Sequence, residues 1–283
     1  MFGAVMISFS GVWVKISDVS PIISAFYRVT FGSVFFLIAV LTVTKVKWYG
    51  ISNFILCIGC GFLFALDLFF WHISIIYIGP GLATILANFQ VFILALLGIL
   101  FFGEKINFYF LLSIPMAVLG LFMIIGIHWN IFEQTYRTGI YYGLITAVCY
   151  ATFILLLRKL QSDLKEMPVY YVLMVVSVTS SLFLFFEIVR VGESLVIPNI
   201  HSCIVLIALG LLSQTVSWSI ITKSLPHINV SIAGVVLLLQ PTLAFVWDVI
   251  FFQRKTALMN WVGVIIVLSG IFLSTVNRDK TKK

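Results

Sequence analysis

The chain has 283 residues, 62% of them hydrophobic and 10% charged, with a mean hydropathy of +1.17 and a formal net charge of +7. A soluble globular domain carries roughly 45–50% apolar and about 25% charged residues, so composition excludes that class and points to a lipid bilayer. The positive balance is not a nucleic-acid signature, because the Lys and Arg residues lie between apolar runs rather than on one face.

A membrane span needs about 20 mostly apolar residues, and breaking the chain at charges, prolines and glycines predicts ten. The opening stretch MFGAVMISFSGVWVKI lacks a basic leader region and a small-residue cleavage site, so 2–17 is expected as a short first span and not a signal peptide. The second, 21–44, starts at Pro21 and carries Arg28; the third, 52–77, carries Asp67 and His72; the fourth and fifth are 80–102 and 107–126. A loop at 127–138 leads to spans 139–158, 168–189, 202–222, 228–252 and 257–276, and 277–283 forms a basic tail. The connections leave no room for a soluble domain. Cys57-x-x-Cys60 has no second ligand pair nearby, so Cys57, Cys60, Cys149 and Cys203 read as buried helix cysteines; no metal and no cofactor is expected.

Loop charge sets the expected orientation. With a cytoplasmic N-terminus, eleven cations fall inside (Lys45, Lys47, Lys105, Arg158, Lys159, Lys165, Lys223, Arg278, Lys280, Lys282, Lys283) and five outside (Lys15, Arg137, Arg190, Arg254, Lys255). Both termini are therefore expected in the cytoplasm.

An offset of 150 residues brings the halves into register. Ala83 falls on Ala233, Gln90 on Gln240, Phe101-Phe102 on Phe251-Phe252, Lys105 on Lys255, and Gly120-x-Phe122 on Gly270-x-Phe272. A coarser match, with a short gap, sets Gly3–Ile16 on Gly143–Leu156 and Pro21 on Pro168. Each half holds an odd number of spans, so the second copy enters the membrane upside down. The expected fold is an all-α integral membrane protein of ten transmembrane helices in two inverted five-helix repeats, 1–126 and 139–276. Inverted repeats are a common plan of secondary transporters, with substrate bound near the midplane. Two pseudo-equivalent halves can exchange conformations of similar energy.

The stretch GPGLATILANFQVFILALLGILFFGEK, followed by a span ending AVLGLFMIIG, resembles the drug/metabolite transporter superfamily, EamA type. The resemblance covers nearly the whole chain and implies ten spans, two EamA repeats and a Gly-Glu pair closing the fourth span, here Gly103-Glu104. The string Asp67…Trp71-His72-x-Ser74 also recurs in some members. It implies a central cavity built chiefly from spans 1, 3, 4, 6, 8 and 9. The second repeat departs from the pattern: Gln253-Arg254 stands where Gly-Glu is usual.

Charged groups inside a span are costly, about 2.5–3.5 kcal/mol for an ionised Asp at a helix centre, and so point to a partner or a cavity. On a helix Asp67 shares a face with Cys60, Phe64, Trp71 and Ser74. His72, five positions on, lies roughly 140° around and shares its face with Gly61, Ala65 and Leu68. An Asp–His relay within the helix is thus disfavoured. Asp67 is expected as a proton-coupling or substrate group, or as a structural ion pair with Arg28, which sits at similar depth. For His72 the alternatives are an interhelical hydrogen bond and a substrate or proton contact, while Gly61-x-x-x-Ala65 is a packing seam. Arg28, Asp67, Trp71, Ser74, Asn88, Gln90, Gln214, Trp218 and Gln240 are the candidate cavity-lining residues. Pro241 frees a carbonyl and makes either a broken helix beside the cavity or a packed kink.

These features predict export or exchange of a small polar or amphipathic metabolite, such as an amino acid or related compound, by alternating access across a bacterial inner (plasma) membrane. Protons are a candidate coupling ion, and nucleic acid is not an expected partner. The rivals are an intramembrane enzyme using Asp67 and His72, and a membrane assembly subunit that transports nothing.

Overall fold

A computed structural model describes residues 1–44, 47–104, 108–125, 134–163, 167–253 and 255–275, with the side chains at 79–82, 125, 134, 135, 163 and 275 left aside. Among the described residues the secondary structure is entirely helical. The loop at 127–138 lies mostly outside these residues, and Lys45, Lys105, Lys165, Arg254 and the tail 277–283 lie wholly outside them.

Seven helices are long and apolar enough to cross a membrane, and three shorter apolar helical stretches accompany them, Phe2–Lys15, Phe108–Ile124 and Leu258–Ser274. The surface is inverted relative to a soluble protein. Leu41, Leu100, Phe101, Phe186, Ile204, Ile265 and Phe272 are exposed, whereas Ser113, Ser177, Ser180, Ser213, Gln214, Thr222 and Thr242 are buried. That distribution suits a solvent of lipid tails, where polar groups must find partners inside the protein. The chain is a multi-pass integral membrane protein.

The stretch expected as the first span is two helices, α1 (Phe2–Ser8) and α2 (Ser10–Lys15), interrupted at Phe9. α3 (Pro21–Val43) starts where its sequence demands: Ser20 is the N-cap and Pro21, with no N–H to satisfy, is the first helical residue. Helical backbone then runs through α4 (Ile51–Ala87), across the break expected near residue 79. It cannot be straight. A Cβ on Gly143 would lie 2.9 Å from Leu86 Cβ and 3.0 Å from Ser74 Oγ, placing those two atoms within about 6 Å of each other. Twelve residues of straight helix would separate them by about 18 Å. The chain therefore turns back between Ser74 and Leu86, and the two arms correspond to the expected third and fourth spans.

α5 (Gln90–Phe102) continues the fourth span after an interruption at Asn88 and Phe89, followed by α6 (Phe108–Ile125) and α7 (Gln134–Asp163). α7 offers Gly139, Gly143, Ala147 and Ala151 at four-residue spacing to α4, so the two backbones approach closely. Phe64 stacks on Phe153 at 4.8 Å within the same contact. α8 (Val169–Val191) ends at Gly192, whose φ of 79° requires glycine's freedom. Gly61 of α4 meets Thr179 and Val176 of α8, and Ser180 Oγ donates to the Gly61 carbonyl at 2.8 Å.

α9 (Ile200–Ala208) widens into a π-helix at Leu209–Val216 before α10 (Ser217–Ser224) resumes. The hydroxyls of Thr215 and Ser217 donate to carbonyls five residues back, at 2.9 and 2.8 Å, which matches the wider turn. The expected ninth span is α11 (Val230–Leu237) and α12 (Leu239–Phe252), interrupted at Leu238. Pro241, in the first turn of α12, has no N–H for the Leu237 carbonyl. Asn88 and Leu238, the residues at the two interruptions, are 150 positions apart.

α13 (Leu258–Thr275) packs antiparallel to α6. A Cβ on Gly120 would lie 2.7 Å from the Gly263 carbonyl oxygen and 2.9 Å from Val267 N; one on Gly270 would lie 3.0 Å from the Ser113 oxygen and 3.3 Å from Ala117 N. Adding or subtracting 150 converts the first set of partners into the second. The contact is thus self-complementary under exchange of the two halves.

Candidate functional site

Polar side chains from several helices converge inside the bundle. Arg28 stands on α3, one turn before Gly32. Its Nε donates to Gln214 Oε1 at 3.1 Å, and Gln214 Nε2 donates to Ser177 Oγ of α8 at 3.2 Å. Gly32 makes this possible, because a Cβ there would lie 2.9 Å from Gln214 Cβ. The π-helix supplies the rest, projecting Gln214 from a widened turn against α3.

Asp67 of α4 is electrostatically coupled to Arg28 and to Tyr150 of α7, yet the two charges make no direct ion pair within 4 Å. Among the described residues no hydrogen bond is made by the Asp67 carboxylate or by the two terminal nitrogens of Arg28, and both residues are half-buried. Gln240 Nε2 of α12 reaches the Tyr150 hydroxyl at 3.5 Å and extends the polar lining. An anion-binding guanidinium and a cation-binding carboxylate held apart in this way can receive a ligand carrying both charges.

The other candidates lie elsewhere. Ser74 is fully buried and donates to the Gly139 carbonyl at 2.9 Å, a helix-packing bond between α4 and α7. Trp218 is 1% exposed and is packed edge-on against Phe64 and Phe153, so it fills the core next to the site and does not line it. Gln90 is fully buried, with Nε2 donating to the Gly234 carbonyl at 3.3 Å across α5 and α11. Asn88 is half-buried at the interruption of the fourth span, where its Nδ2 donates to the Thr84 carbonyl at 2.7 Å. Trp71 is half-buried and meets the His72 ring edge-on at 5.2 Å.

Of the residues that share Asp67's helical face, Cys60, Phe64 and the lining candidate Ser74 lie against α7. The cause is packing: α7's stripe of small residues draws that side of α4 in, leaving Asp67 and Trp71 with accessible surface. His72 Nδ1 bonds the Leu68 carbonyl of its own helix at 2.6 Å, with the Pro21 carbonyl of α3 also among its neighbours. Asp67 and His72 thus have separate surroundings. Sequence reasoning missed Ser177, since a serine in an apolar span has no local mark. Tyr150 carried only the general signal of an aromatic residue in a span.

Comparison with known proteins agrees with this architecture. A model of the EamA-like transporter family matches residues 1–126 and 137–276. An uncharacterized transporter YxxF of Bacillus subtilis (strain 168) is 22% identical over 233 residues, covering 78% of this chain and 70% of that protein. A solved crystal structure superposes with a TM-score of 0.82 over 97% of this chain and 96% of that chain, at 16% identity, a likeness of fold. The family match spans nearly the whole chain, and the chain belongs to the EamA-like transporter family, a family of membrane transporters.

Proposed function

We propose that the chain is a secondary transporter for a small polar or amphipathic metabolite carrying both charges, such as an amino acid or a related compound, working by alternating access. The observation that carries this reading is the Arg28–Asp67 arrangement: opposite charges on two helices, coupled but not joined, each with polar atoms that make no hydrogen bond among the described residues. Unpaired charge in a membrane interior is expensive unless a cavity or ligand compensates it. The guanidinium would take a carboxylate, the Asp67 carboxylate an ammonium, and Tyr150 and Gln240 the remainder of the ligand.

Two inverted five-span repeats, 1–126 and 139–276, would supply the exchange of states. The self-complementary α6–α13 contact and the interruptions at Asn88 and Leu238 support that symmetry. The lysine and arginine bias of the loops supports both termini in the cytoplasm of a bacterial inner (plasma) membrane. Export or exchange is the expected direction, with Asp67 as the proton-coupling group.

Proteoliposomes containing the purified chain, screened against pooled metabolites with and without a pH gradient, test the reading. Saturable flux of a zwitterion that Arg28→Gln abolishes supports it. Normal flux in Asp67→Asn at every pH removes the coupling role, and absence of flux for every pool overturns transport.

A further inference from the structure

At one end of the bundle three helices of different spans are tied by a single carboxylate. Gly103 adopts φ 59°, ψ 28° and turns the chain so that the Glu104 N–H donates to the Gly98 carbonyl at 3.0 Å. That turn lays the Glu104 side chain across the start of α11. Oε1 accepts the Val230 N–H at 2.6 Å, while Oε2 accepts the Ser231 N–H at 3.1 Å and the Ser231 hydroxyl at 2.6 Å. These N–H groups have no partner within their own helix, and the positive end of the helix dipole favours an anion there. From α7, Arg158 Nη1 stands 3.7 Å from Oε1 while its guanidinium lies 4.7 Å over the Phe102 ring. Below the carboxylate, Leu94 and Val91 of α5 pack against Gly234 of α11. A Cβ on Gly98 would lie 2.5 Å from Ser231 Oγ and 2.6 Å from Glu104 Oε2, so the site has room only for glycine.

The other half of the chain has the turn without the carboxylate. Gln253, 150 residues beyond Gly103, also adopts the left-handed conformation, φ 50°, ψ 38°, and the cap N–H returns to the Asp248 carbonyl, the counterpart of the Gly98 carbonyl. The residue that follows in sequence is Arg254, outside the described residues, and an arginine side chain has no acceptor for backbone N–H groups.

We propose that Glu104 is a latch: its carboxylate, bridging α5, α7 and α11, holds the bundle closed at the Glu104 end. The second half carries a different tie at the equivalent place, where Lys15 Nζ of α2 meets Asp248 Oδ1 of α12 at 2.7 Å with the ammonium 4.3 Å over Phe252, the counterpart of Phe102. Opening at the Glu104 end requires release of the Glu104 bonds. The latch rests on the transporter reading for its purpose, but its test needs no substrate.

The test uses protein in lipid nanodiscs with Cys57, Cys60, Cys149 and Cys203 replaced by alanine. A reporter, Leu94→Cys, is placed at a site that is fully buried between α5 and α11, and its labelling rate with a polar maleimide is measured. Loss of one charge-assisted hydrogen bond set shifts a two-state population roughly tenfold or more. Glu104→Gln should therefore raise the rate about tenfold, and Ser231→Ala, which removes one bond and disturbs folding less, by a smaller factor. A control reporter, Ala117→Cys, lies buried in the α6–α13 contact and should stay protected. Unchanged labelling of Leu94→Cys in both variants overturns the latch. Equal gains at both reporters also overturn it, because they mean general loosening. A latch-dependent label in a protein with no flux would sink transport and leave the latch standing.

Discussion

Exchanging Arg28 for glutamine and Asp67 for asparagine, singly and together, measures whether the two charges share one electrostatic site. They are coupled but stand beyond the 4 Å of a direct ion pair. At an effective dielectric constant of about 20, two unit charges interact by about 4 kcal/mol at 4 Å and about 2 kcal/mol at 8 Å. The double-mutant coupling energy should therefore have the sign of attraction and lie below about 4 kcal/mol. The single costs should differ. Arg28→Gln also removes the charge-assisted bond from Nε to Gln214, about 1.5–3 kcal/mol, and leaves Asp67 without its counter-charge. Asp67→Asn leaves that bond intact and should cost less. Reversible unfolding in mixed detergent micelles, followed by tryptophan fluorescence for the wild type and three variants, gives all four free energies. Effects that add to within about 0.5 kcal/mol would show that the two groups do not share a site, and the shared-ligand argument would fail with them.

The α6–α13 contact makes a second prediction: Gly120→Ala and Gly263→Ala should each destabilise by about 1–3 kcal/mol, because the new Cβ meets backbone that cannot move independently. The double variant should cost less than the sum, since one displacement of the helices relieves both, and detergent unfolding reads this directly; wild-type stability in Gly120→Ala would refute the close approach. At the opposite end of the bundle, Gln253→Gly should stabilise by about 0.5–1 kcal/mol, as glycine relieves the left-handed backbone strain at an exposed position. A lowered melting temperature for Gln253→Gly would mean that the side chain makes a contact worth more than the strain.

Sequence by itself determined the solvent, the helical class and the family, because the bilayer imposes long apolar runs and a repeat leaves its register in the chain. Gly120 and Gly270 illustrate how far this reaches: a shared offset picks them out, and they occupy equivalent places in the α6–α13 contact. Arg28 and Asp67 were legible for a related reason, since charge within a span is rare enough to demand explanation. Which neighbour each face of α4 meets was not legible. Helical spacing groups Asp67 with Cys60, Phe64 and Ser74, but it cannot say which neighbour the face meets, and the small-residue stripe of α7 takes most of it. The π-helix that delivers Gln214 to Arg28 likewise leaves no periodic mark in eight residues of ordinary helix-forming and polar types. Glu104 shows the division most sharply. Its place after Gly103 is a sequence pattern, whereas its bonds to Val230 and Ser231 join residues more than 120 positions apart. Only the tertiary fold, by bringing the end of one span to the start of another, makes that carboxylate a cap.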